Sequence, residues 1–494
     1  MTLVGVDTLI VGAGTAGCLL AARLAAVPGH RVRVVEAGPV WAGWERIPAA
    51  VRDAEVMPIG PESPWLWRYR TRLAEDAPDS AEVLRGRLLG GSSAVNGGYF
   101  VRATAQDFLA WSAELGGAPQ WSASAVLPAY RQIERDLDFG DAPGHGARGP
   151  IPVQRVPRPK PVSVEFSTVA GAAGFPEIPD LNALPEAVPT TGFGPVPRNI
   201  ADGTRMSSAA ALATAPASAA LTVTGGITVT RILFRGTRAV GVEYRDAGGT
   251  GTIAADRVVV CAGAVESAAL LLRSGIGDPD ELRALDIPVV APSPVGKWFS
   301  DHPEVGIDFR FGPPAAATAP PLEVIWTRGD VEIRPYTVAF GPDPSVHRLG
   351  VALMRPVGHG VLRLASADPA VAPVLEHRYL SEATDREALW TGMAVAEELL
   401  RVIPGVRYDR PRWQDRLAIP ANLGTSQHLS GTCRMGAAGD ERAVVDPWCA
   451  VHGVSGVSVV DLSVVPVPLS RGPAATVMMV AEHVAGHLTP LSER

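Results

Sequence analysis

The chain has 494 residues, 47% of them apolar and 19% charged, and its formal net charge is −7. This length and apolar fraction allow two or three domains with large cores. The negative net charge, without a long basic run, argues against nucleic acid as a partner. No apolar run reaches the length of about eighteen residues that a membrane-spanning helix needs, which leaves only peripheral contact with a membrane open.

The four cysteines indicate a reducing compartment. Cys18, Cys261, Cys433 and Cys449 show no C-x-x-C spacing and no nearby histidine cluster of the kind that binds zinc. The opening apolar stretch lacks the basic segment of a signal peptide and leads directly into a glycine-rich turn. We therefore expect a cytoplasmic protein with free thiols and no metal site.

The first motif is VDTLIVGAGTAGCLLAARL, in which an apolar strand meets an alanine-rich helix. Gly12, Gly14 and Gly17 have the spacing that permits a tight turn, close approach of the backbone to a pyrophosphate and close packing of helix on strand. Glu36 ends the next strand, in RVRVVEAG, where it can hold ribose hydroxyls. The predicted nucleotide site also includes Thr15, Ala16 and Ala37. The motif alone does not choose between NAD and FAD.

A second glycine-rich segment, GRLLGGSSAVNGGYF, is the next candidate for cofactor contact. Its backbone amides are little covered by side chains, as a loop against a phosphate or a planar hydrogen-bonding ring requires. The residues that we assign to the cofactor here are Gly90, Gly91, Ser92, Asn96, Gly97 and Gly98. The alternative is an ordinary surface loop, in which Asn96 forms only an Asx-turn.

The middle of the chain begins with a stretch of irregular character. Residues 41–84 are rich in proline, tryptophan and arginine, and we predict no regular structure there, with PWLWRYRT lying over the cofactor or an interface. Helical spacing returns between 106 and 137, with Ser122 as a predicted N-cap. Breakers in 141–161 then indicate a passage towards a second domain.

Strand patterns follow in two regions. Residues 221–261 alternate or run apolar between glycine turns. Residues 306–380 contain VEIRPYTVAF, LGVALMRP and GVLRLAS, which predict one large antiparallel sheet that forms a roof over a substrate. DREALWTGMAVAEELLRVI, which follows, predicts an amphipathic helix.

Four separated blocks carry the strongest pattern in the chain. They are VDTLIVGAGTAGCLLAARL with VVEAG, RGRLLGGSSAVNGG, CAGAVESAALLLRSGIGDPDELRALDIPVV leading to VGKWFSDHP, and HLSGTCRMG with VVDPWCAVHGVSGVSVVDLSVVP. In this order they resemble the glucose-methanol-choline (GMC) oxidoreductase family. The resemblance implies an α/β fold (α+β overall), with a Rossmann-like FAD-binding domain of the GMC ββα type and an antiparallel-sheet substrate domain.

The resemblance also implies that both domains are assembled from separate segments. The predicted FAD-binding domain comprises 1–155, 196–305 and the C-terminal part 425–494, which carries the active-site histidine. The predicted substrate domain comprises 156–195 and its main part 306–424.

The resemblance places the catalytic base at His428, which precedes Gly431, Thr432 and Cys433 by the spacing of the family. A base at the hydroxyl is needed because an alcohol gives up hydride poorly while its oxygen keeps its proton. The family normally has a second histidine or asparagine about ten residues before the glutamate that corresponds to Glu482, but this chain has Gly472 there. Three alternatives remain: Gly472 makes room for a bulky substrate, Arg471 stabilises the developing alkoxide, or the chemistry is altered.

Further contacts with the flavin follow from the resemblance. They are Val229, Ala262, Gly263, Asp461, Leu462, Pro473 and Ala474. Some relatives link a histidine just before Asn96 covalently to FAD, and this chain has Val95 there, so we expect noncovalent FAD. His302, in SDHP, is predicted to fix a turn near the domain junction.

The implied function is that of an FAD-dependent alcohol dehydrogenase. SAVNGGYFVRA, WSASAVLPAYRQIERDLDFGD and HGARGPIPVQR are similar to the actinobacterial branch encoded with the mycofactocin system. That branch implies reoxidation of mycofactocinol, a reduced peptide-derived redox cofactor, to mycofactocinone, with electrons passed to an unidentified acceptor such as the respiratory chain. The alternatives are a choline-like or other small-alcohol dehydrogenase or oxidase, a protein like the hydroxynitrile lyases of this fold, and a scaffold with non-redox FAD.

Overall fold

The computed structural model describes residues 6–77, 81–184, 188–215, 219–312, 314–315, 320–408 and 422–488. Its helices are α1 Thr15–Ala25, α2 Ala49–Arg52, α3 Ala105–Glu114, α4 Ala123–Ile133, α5 Pro161–Ala172, α6 Ala209–Thr214, α7 Gly263–Arg273, α8 Pro279–Ala284, α9 Ala383–Val402 and α10 Ala474–Leu488. Its strands are β1 Val6–Val11, β2 Val32–Val35, β3 Leu66–Arg72, β4 Ala81–Gly86, β5 Glu134–Asp136, β6 Ile151–Val153, β7 Thr191–Pro195, β8 Ile200–Ala201, β9 Thr204–Arg205, β10 Leu221–Thr224, β11 Thr228–Arg235, β12 Arg238–Asp246, β13 Gly249–Val260, β14 Ile276–Gly277, β15 Ala291–Pro292, β16 Pro303–Arg310, β17 Val324–Arg328, β18 Val331–Pro335, β19 Val346–Leu353, β20 Val361–Arg363, β21 Val374–Glu376, β22 Leu423–Thr425 and β23 Val457–Val459.

A seven-stranded sheet carries the first motif. Its order is β10-β2-β1-β13-β12-β11, with β23 also beside β13. Strands β10, β2, β1, β13 and β23 are parallel, and β12 and β11 extend the sheet as antiparallel strands. Residues 9–11 of β1 and 258–260 of β13 are apolar and buried, as expected where both faces of a parallel sheet are covered. Since β1 and β2 are adjacent and parallel, their carboxyl ends bring Gly12 and Glu36 to the same edge.

A six-stranded antiparallel sheet forms the second layer, in the order β22-β16-β19-β18-β17-β7. Helices α5 and α9 pack against it. Trp326, Ile333 and Leu349 from the sheet and Met393 from α9 are buried in the same core. The predicted antiparallel sheet and the amphipathic helix after it are confirmed by these strands and by α9.

The structure differs from prediction in residues 41–84, which contain a hairpin. Strands β3 and β4 pair with each other, and β21 and β20 extend them into a four-stranded sheet. GVLRLAS, which contains β20, is therefore not part of the roof. Leu362 and Leu375 of this sheet lie in the main core around α1 and β13. The apolar residues of GVLRLAS predicted a strand, but they did not show whether it would join the six-stranded or the four-stranded sheet.

The predicted domain limits also differ from the strand limits. The boundary at 305/306 falls inside β16, and the boundary at 424/425 falls inside β22. The part of the predicted substrate domain from 409 to 421 lies outside the described residues. Ser122 accepts a hydrogen bond from the amide of Ala125 and begins α4 as predicted.

Two further expectations concern cysteines and membranes. All four cysteines are buried and free. Within the described ranges, none of the helices combines the length and the apolar character that a membrane crossing requires.

Candidate active site

A cavity of about 800 Å³ runs between the seven-stranded sheet and the antiparallel sheet. Its lining includes all the cofactor residues predicted above except Gly17, Gly90 and Gly98. These three glycines lie behind the cavity wall, where the absence of a side chain allows close packing on Gly12, Ser207 and Ile200 respectively.

The first motif forms one end of the cavity. Gly12 has φ +101°, and a Cβ atom on it would lie 2.5 Å from the carbonyl oxygen of Cys261. Gly17 does not line the cavity but packs on the backbone of Gly12, since a Cβ atom on Gly17 would collide with the carbonyl oxygen of Gly12. Gly14 precedes α1, whose first amides face the cavity end where a phosphate would lie. The bare backbone at this end therefore fits a pyrophosphate.

Glu36 also faces this end of the cavity and is buried. Its Oε2 accepts the amide N–H of Ala13 at 2.9 Å, and its Oε1 accepts that of Gly38 at 2.9 Å. Burial raises the pKa of Glu36, while these hydrogen bonds act in the opposite direction. Each oxygen keeps a further lone pair, so the carboxylate suits a pair of ribose hydroxyls.

The second glycine-rich segment lies along the middle of the cavity. Gly91 has φ +53°, and its Cα lies close enough to Gly14 that a Cβ atom would approach the Gly14 Cα within 2.7 Å. Asn96 lines the cavity and its Oδ1 also accepts the amide of Gly98 at 3.0 Å, so that the Asx-turn and the position at the cavity occur together. Gly98 leaves space for Ile200, and Gly90 leaves space for Ser207.

Asp461 links the third block to the fourth. Its carboxylate accepts the amides of Gly263 and Ser463, each at 2.8 Å, and the hydroxyl of Ser267 at 2.5 Å. Burial raises the pKa of Asp461 against the effect of these bonds. The residue is therefore both a cap of the turn after β23 and part of the cavity wall.

His428 lines the cavity, and its imidazole meets that of His302. The two Nδ1 atoms are 2.8 Å apart, and the ring planes are inclined by 82°. A hydrogen bond of this kind contains one proton, so one ring donates and the other accepts. With Nδ1 engaged, Nε2 is the nitrogen of His428 that remains for a ligand.

Asp301 holds the backbone of both histidines. Its Oδ1 accepts the amides of His302 at 2.7 Å and His428 at 2.8 Å, and its Oδ2 accepts the hydroxyl of Thr425 at 2.7 Å. Burial alone would raise the pKa of Asp301, but the hydrogen bond from His377 and nearby positive groups bring it well below its ordinary value. Asp301 is therefore a fixed anion beside the histidine pair.

Both histidines are neutral at ordinary pH. Burial lowers the pKa of His302 to about 4. Burial also lowers the pKa of His428 well below its ordinary value, and the neighbouring His302 and Arg334 add to this effect. A neutral imidazole with a free nitrogen at the cavity can accept a proton.

The sequence placed His302 at a turn near the domain junction, and the structure adds its contact with His428. The Nδ1 atom of His302 contacts Nδ1 of His428, so His302 does more than shape a turn. The sequence signal was SDHP itself, because an acid and a histidine in succession at the start of a strand can reach the same site. The separation of 126 positions between His302 and His428 concealed the pairing.

The structure also shows the surroundings of Gly472 and Arg471. The Tyr99 ring fills the space beside Gly472: a Cβ atom on Gly472 would lie 2.8 Å from Tyr99 Cδ1 and 3.5 Å from His428 Cε1. Gly472 lines the cavity, and the Tyr99 ring occupies the space that a side chain at 472 would take. Arg471 is buried, donates to the carbonyl of Ser470 at 2.8 Å and is not part of the cavity lining.

A polar cluster on the substrate side was missed from the sequence. Arg334 donates to Glu332 at 2.7 Å and to Glu304 at 2.6 Å. Tyr336 donates to the other oxygen of Glu304 at 2.7 Å, and Tyr99 donates to the other oxygen of Glu332 at 3.0 Å. Alternation in VEIRP gave a strand but did not show that its charged side chains would be buried at a cavity.

Comparison with known proteins identifies the family. Profiles of the N- and C-terminal parts of the family described as GMC oxidoreductase match residues 6–304 and 356–481. The chain belongs to the GMC oxidoreductase family. As a GMC oxidoreductase it uses FAD and acts on alcohol-type substrates, and the cavity has the bare backbone and the acceptor groups that FAD requires.

Relatives of this GMC oxidoreductase cover nearly its whole length. It is 41% identical to an uncharacterized GMC-type oxidoreductase of Rhodococcus erythropolis, over 98% of both chains. It is 32% identical to the mitochondrial choline dehydrogenase of Homo sapiens, over 97% of this chain and 88% of that protein. The crystal structure of pyridoxine 4-oxidase from Mesorbium loti is similar with a TM-score of 0.87 and 26% identity, over 98% of this chain and 99% of that one.

Proposed function

We propose that this GMC oxidoreductase is a dehydrogenase in which His428 removes the hydroxyl proton of the alcohol while the carbinol hydrogen leaves as hydride. The observation that carries this proposal is the position of His428, which lines the cavity and has Nδ1 engaged by His302, so that Nε2 is the nitrogen left for a ligand. When bound, FAD supplies the hydride acceptor. The residues that would hold it are the predicted cofactor residues that line the cavity.

The histidine pair explains how the base can be ready before the alcohol arrives. For Nε2 of His428 to accept a proton, Nδ1 of the same ring must carry hydrogen and donate to Nδ1 of His302. His302 must then carry its own proton on Nε2. Asp301 accepts the backbone amides of both histidines, and its negative charge favours the imidazolium that forms on His428.

The substrate that we propose is mycofactocinol, oxidised to mycofactocinone, with a respiratory acceptor as the destination of the electrons. Support comes from the three segments that are similar to the mycofactocin-associated branch. A cytoplasmic location with peripheral contact to a membrane would fit such an acceptor. The aromatic rings of Tyr99, Tyr336 and Phe340 on the substrate side offer apolar surface to a ring-containing substrate.

A small cationic alcohol such as choline is the second candidate, because choline dehydrogenases are among the relatives. Glu304, which lines the cavity, and Glu332 carry two negative charges against the single guanidinium of Arg334. This second carboxylate favours a cation, while the guanidinium groups of Arg85 and Arg348, which also line the cavity, act against one. The hydrogen bonds of Glu304 to Arg334, Tyr336 and Ser426 act against choline, because they already occupy both carboxylate oxygens.

The test is anaerobic reduction of the purified flavoprotein, followed by bleaching of the oxidised flavin absorbance. Mycofactocinol, choline and simple primary alcohols are compared under the same conditions. Bleaching by mycofactocinol alone supports the proposed substrate, whereas bleaching by choline or a small alcohol supports the second candidate. Absence of bleaching by every alcohol contradicts the dehydrogenase and favours lyase or scaffold functions.

His428→Asn is the matched variant for this test. Loss of the base should slow bleaching by about 10²- to 10⁴-fold while the flavin remains bound. Bleaching at the rate of the unmodified protein would remove His428 from the chemistry.

A further inference from the structure

We infer that Tyr99 takes the place of the side chain that is missing at position 472 and forms the positioning wall for the alcohol beside His428. This inference rests on the proposed alcohol oxidation and adds a residue that determines how the substrate lies. It starts from three groups that meet at the cavity: the Tyr99 ring, the backbone of Gly472 and the His428 ring.

The contact between Tyr99 and Gly472 excludes any larger residue at 472. A Cβ atom on Gly472 would lie 2.8 Å from Cδ1 and 2.9 Å from Cε1 of Tyr99, which is closer than carbon atoms can approach without movement. Gly472 has no positive φ, so that its backbone conformation does not require glycine. The packing of the Tyr99 ring is therefore the reason for glycine at this position.

The Tyr99 ring is held in place from its other end. Its hydroxyl donates to Glu332 Oε2 at 3.0 Å, and Glu332 Oε1 accepts from Arg334 Nε at 2.7 Å. Glu332 and Arg334 are both buried. Burial, together with the adjacent Glu332, raises the pKa of Tyr99 well above its ordinary value, so the phenol keeps its proton.

This anchoring gives the phenol two roles towards an alcohol at His428. The ring face limits the space for a substituent on the carbinol carbon, and the hydroxyl oxygen keeps a lone pair that can accept a hydrogen bond. A histidine or asparagine at 472 would have reached the same space from the opposite wall. In this chain Tyr99, from the glycine-rich segment after β4, occupies that space instead.

The experiment is a double-mutant cycle at the two positions. Gly472→Asn, Tyr99→Val and the double variant are compared with the unmodified protein for denaturation midpoint, flavin content, kcat and KM. The substrate is whichever of mycofactocinol, choline and benzyl alcohol reduces the flavin fastest. Gly312→Asn is the control, since a Cβ atom at Gly312 meets no atom within 4 Å.

We expect Gly472→Asn to lower the denaturation midpoint and to reduce kcat/KM by about tenfold or more, because overpacking strains both rings. Tyr99→Val in the same chain should restore the midpoint and return kcat/KM to about that of Tyr99→Val alone. Tyr99→Phe keeps the ring and loses the bond to Glu332, so it should raise KM more than it lowers kcat.

Additive effects of the two substitutions on the midpoint would overturn the inference, because the two positions would then not be in contact. Restored stability with unchanged kcat and KM in Tyr99→Val would also overturn it, because Tyr99 would be a packing residue only. If no alcohol reduces the unmodified protein, the proposed oxidation fails and the positioning role of Tyr99 fails with it. Coupled midpoints in that case would show that the packing of Tyr99 on Gly472 is real.

Discussion

At the scale of single residues, the pairing of His428 with His302 has the clearest chemical consequence. Two neutral imidazoles that share one proton fix each other's tautomers. The base at the cavity therefore depends on a residue that does not itself line it. His302 is a positioning residue, and its effect can be separated from that of His428.

The first prediction concerns substitution of His302. His302→Leu removes the acceptor for Nδ1 of His428, so we expect kcat to fall by at least about tenfold. His302→Asn offers a carbonyl acceptor in a similar place and should recover part of the loss. Both are measured as rates of anaerobic flavin reduction, and equal rates in the two variants would contradict a role in fixing the tautomer.

The second prediction is the pH dependence of kcat/KM. Burial lowers the pKa of His428, so the neutral base should persist below pH 6.5 and activity should decline only under more acidic conditions. In His302→Asn one of the influences that lower this pKa is gone, so the acidic decline should begin at higher pH. A decline centred at or above pH 6.5 in the unmodified protein would contradict the assignment.

The third prediction concerns Val95, which lines the cavity directly before Asn96. Valine has no nucleophilic atom with which to bond FAD covalently. Acid precipitation of the purified protein should therefore release the yellow flavin into the supernatant. Flavin that remains with the pellet would show a covalent link elsewhere in the chain.

At the scale of elements, the junction of β1 with α1 sets the position of the nucleotide. Gly17 lies in the first turns of α1 and permits the helix to pack on the carbonyl of Gly12. Gly12 and Gly17 both belong to the βαβ unit, so the glycine spacing in the sequence already predicted this contact.

The fourth prediction follows from that packing. Gly17→Val places side-chain atoms into the Gly12 carbonyl, and we expect loss of most bound flavin and a lower denaturation midpoint. The ratio of flavin to protein absorbance measures the loss. Gly60→Val is the control, because no atom lies within 4 Å of a Cβ at Gly60; a similar loss of flavin in both variants would contradict the argument.

At the scale of the whole molecule, an ionic cluster connects segments that were predicted to belong to different domains. His145 contacts Glu134 and Asp136 at 3.1 Å and Asp180 at 2.8 Å. Arg155 bridges Asp136 at 2.5 Å and Asp180 at 2.6 Å. Although Glu134, Asp136 and His145 are arranged closely enough for a metal ion, Arg155 and Arg102 already pair with the two carboxylates.

The fifth prediction concerns the contribution of this cluster to the free energy of unfolding. Burial alone would lower the pKa of His145, but hydrogen bonds to Asp136, Asp180 and Glu134 raise it to about 10. A raised pKa stabilises the fold fully below the unfolded value near 6.5, and this contribution is lost as the pH rises towards 10. His145→Gln should therefore destabilise the protein by about 3 kcal/mol near pH 6.

Urea unfolding of both proteins from pH 6 to pH 10 checks this sign. The difference in unfolding free energy should shrink steadily as the pH rises, because above about pH 6.5 the unfolded chain releases the His145 proton that the folded protein keeps. A difference that stays constant over this range would mean that His145 contributes through packing and not through its charge.

The sequence by itself determined the features that depend on neighbours along the chain. The glycine spacing gave the first βαβ unit, and the alternation in VEIRPYTVAF and LGVALMRP gave strands of the antiparallel sheet. The GMC family followed from four blocks in order. The first two features are local, because steric limits on the backbone and the periodicity of apolar residues act over a few residues, whereas the family came from the resemblance of the four blocks.

Only the tertiary structure decided the features that depend on distant residues. It paired His302 with His428, placed β20 in a sheet with β21, β3 and β4 rather than in the roof, and filled the space at Gly472 with Tyr99. In each case the partners are separated by tens to hundreds of residues in the chain. No periodicity records such a contact, because its energy depends on the packing of whole sheets around the cavity.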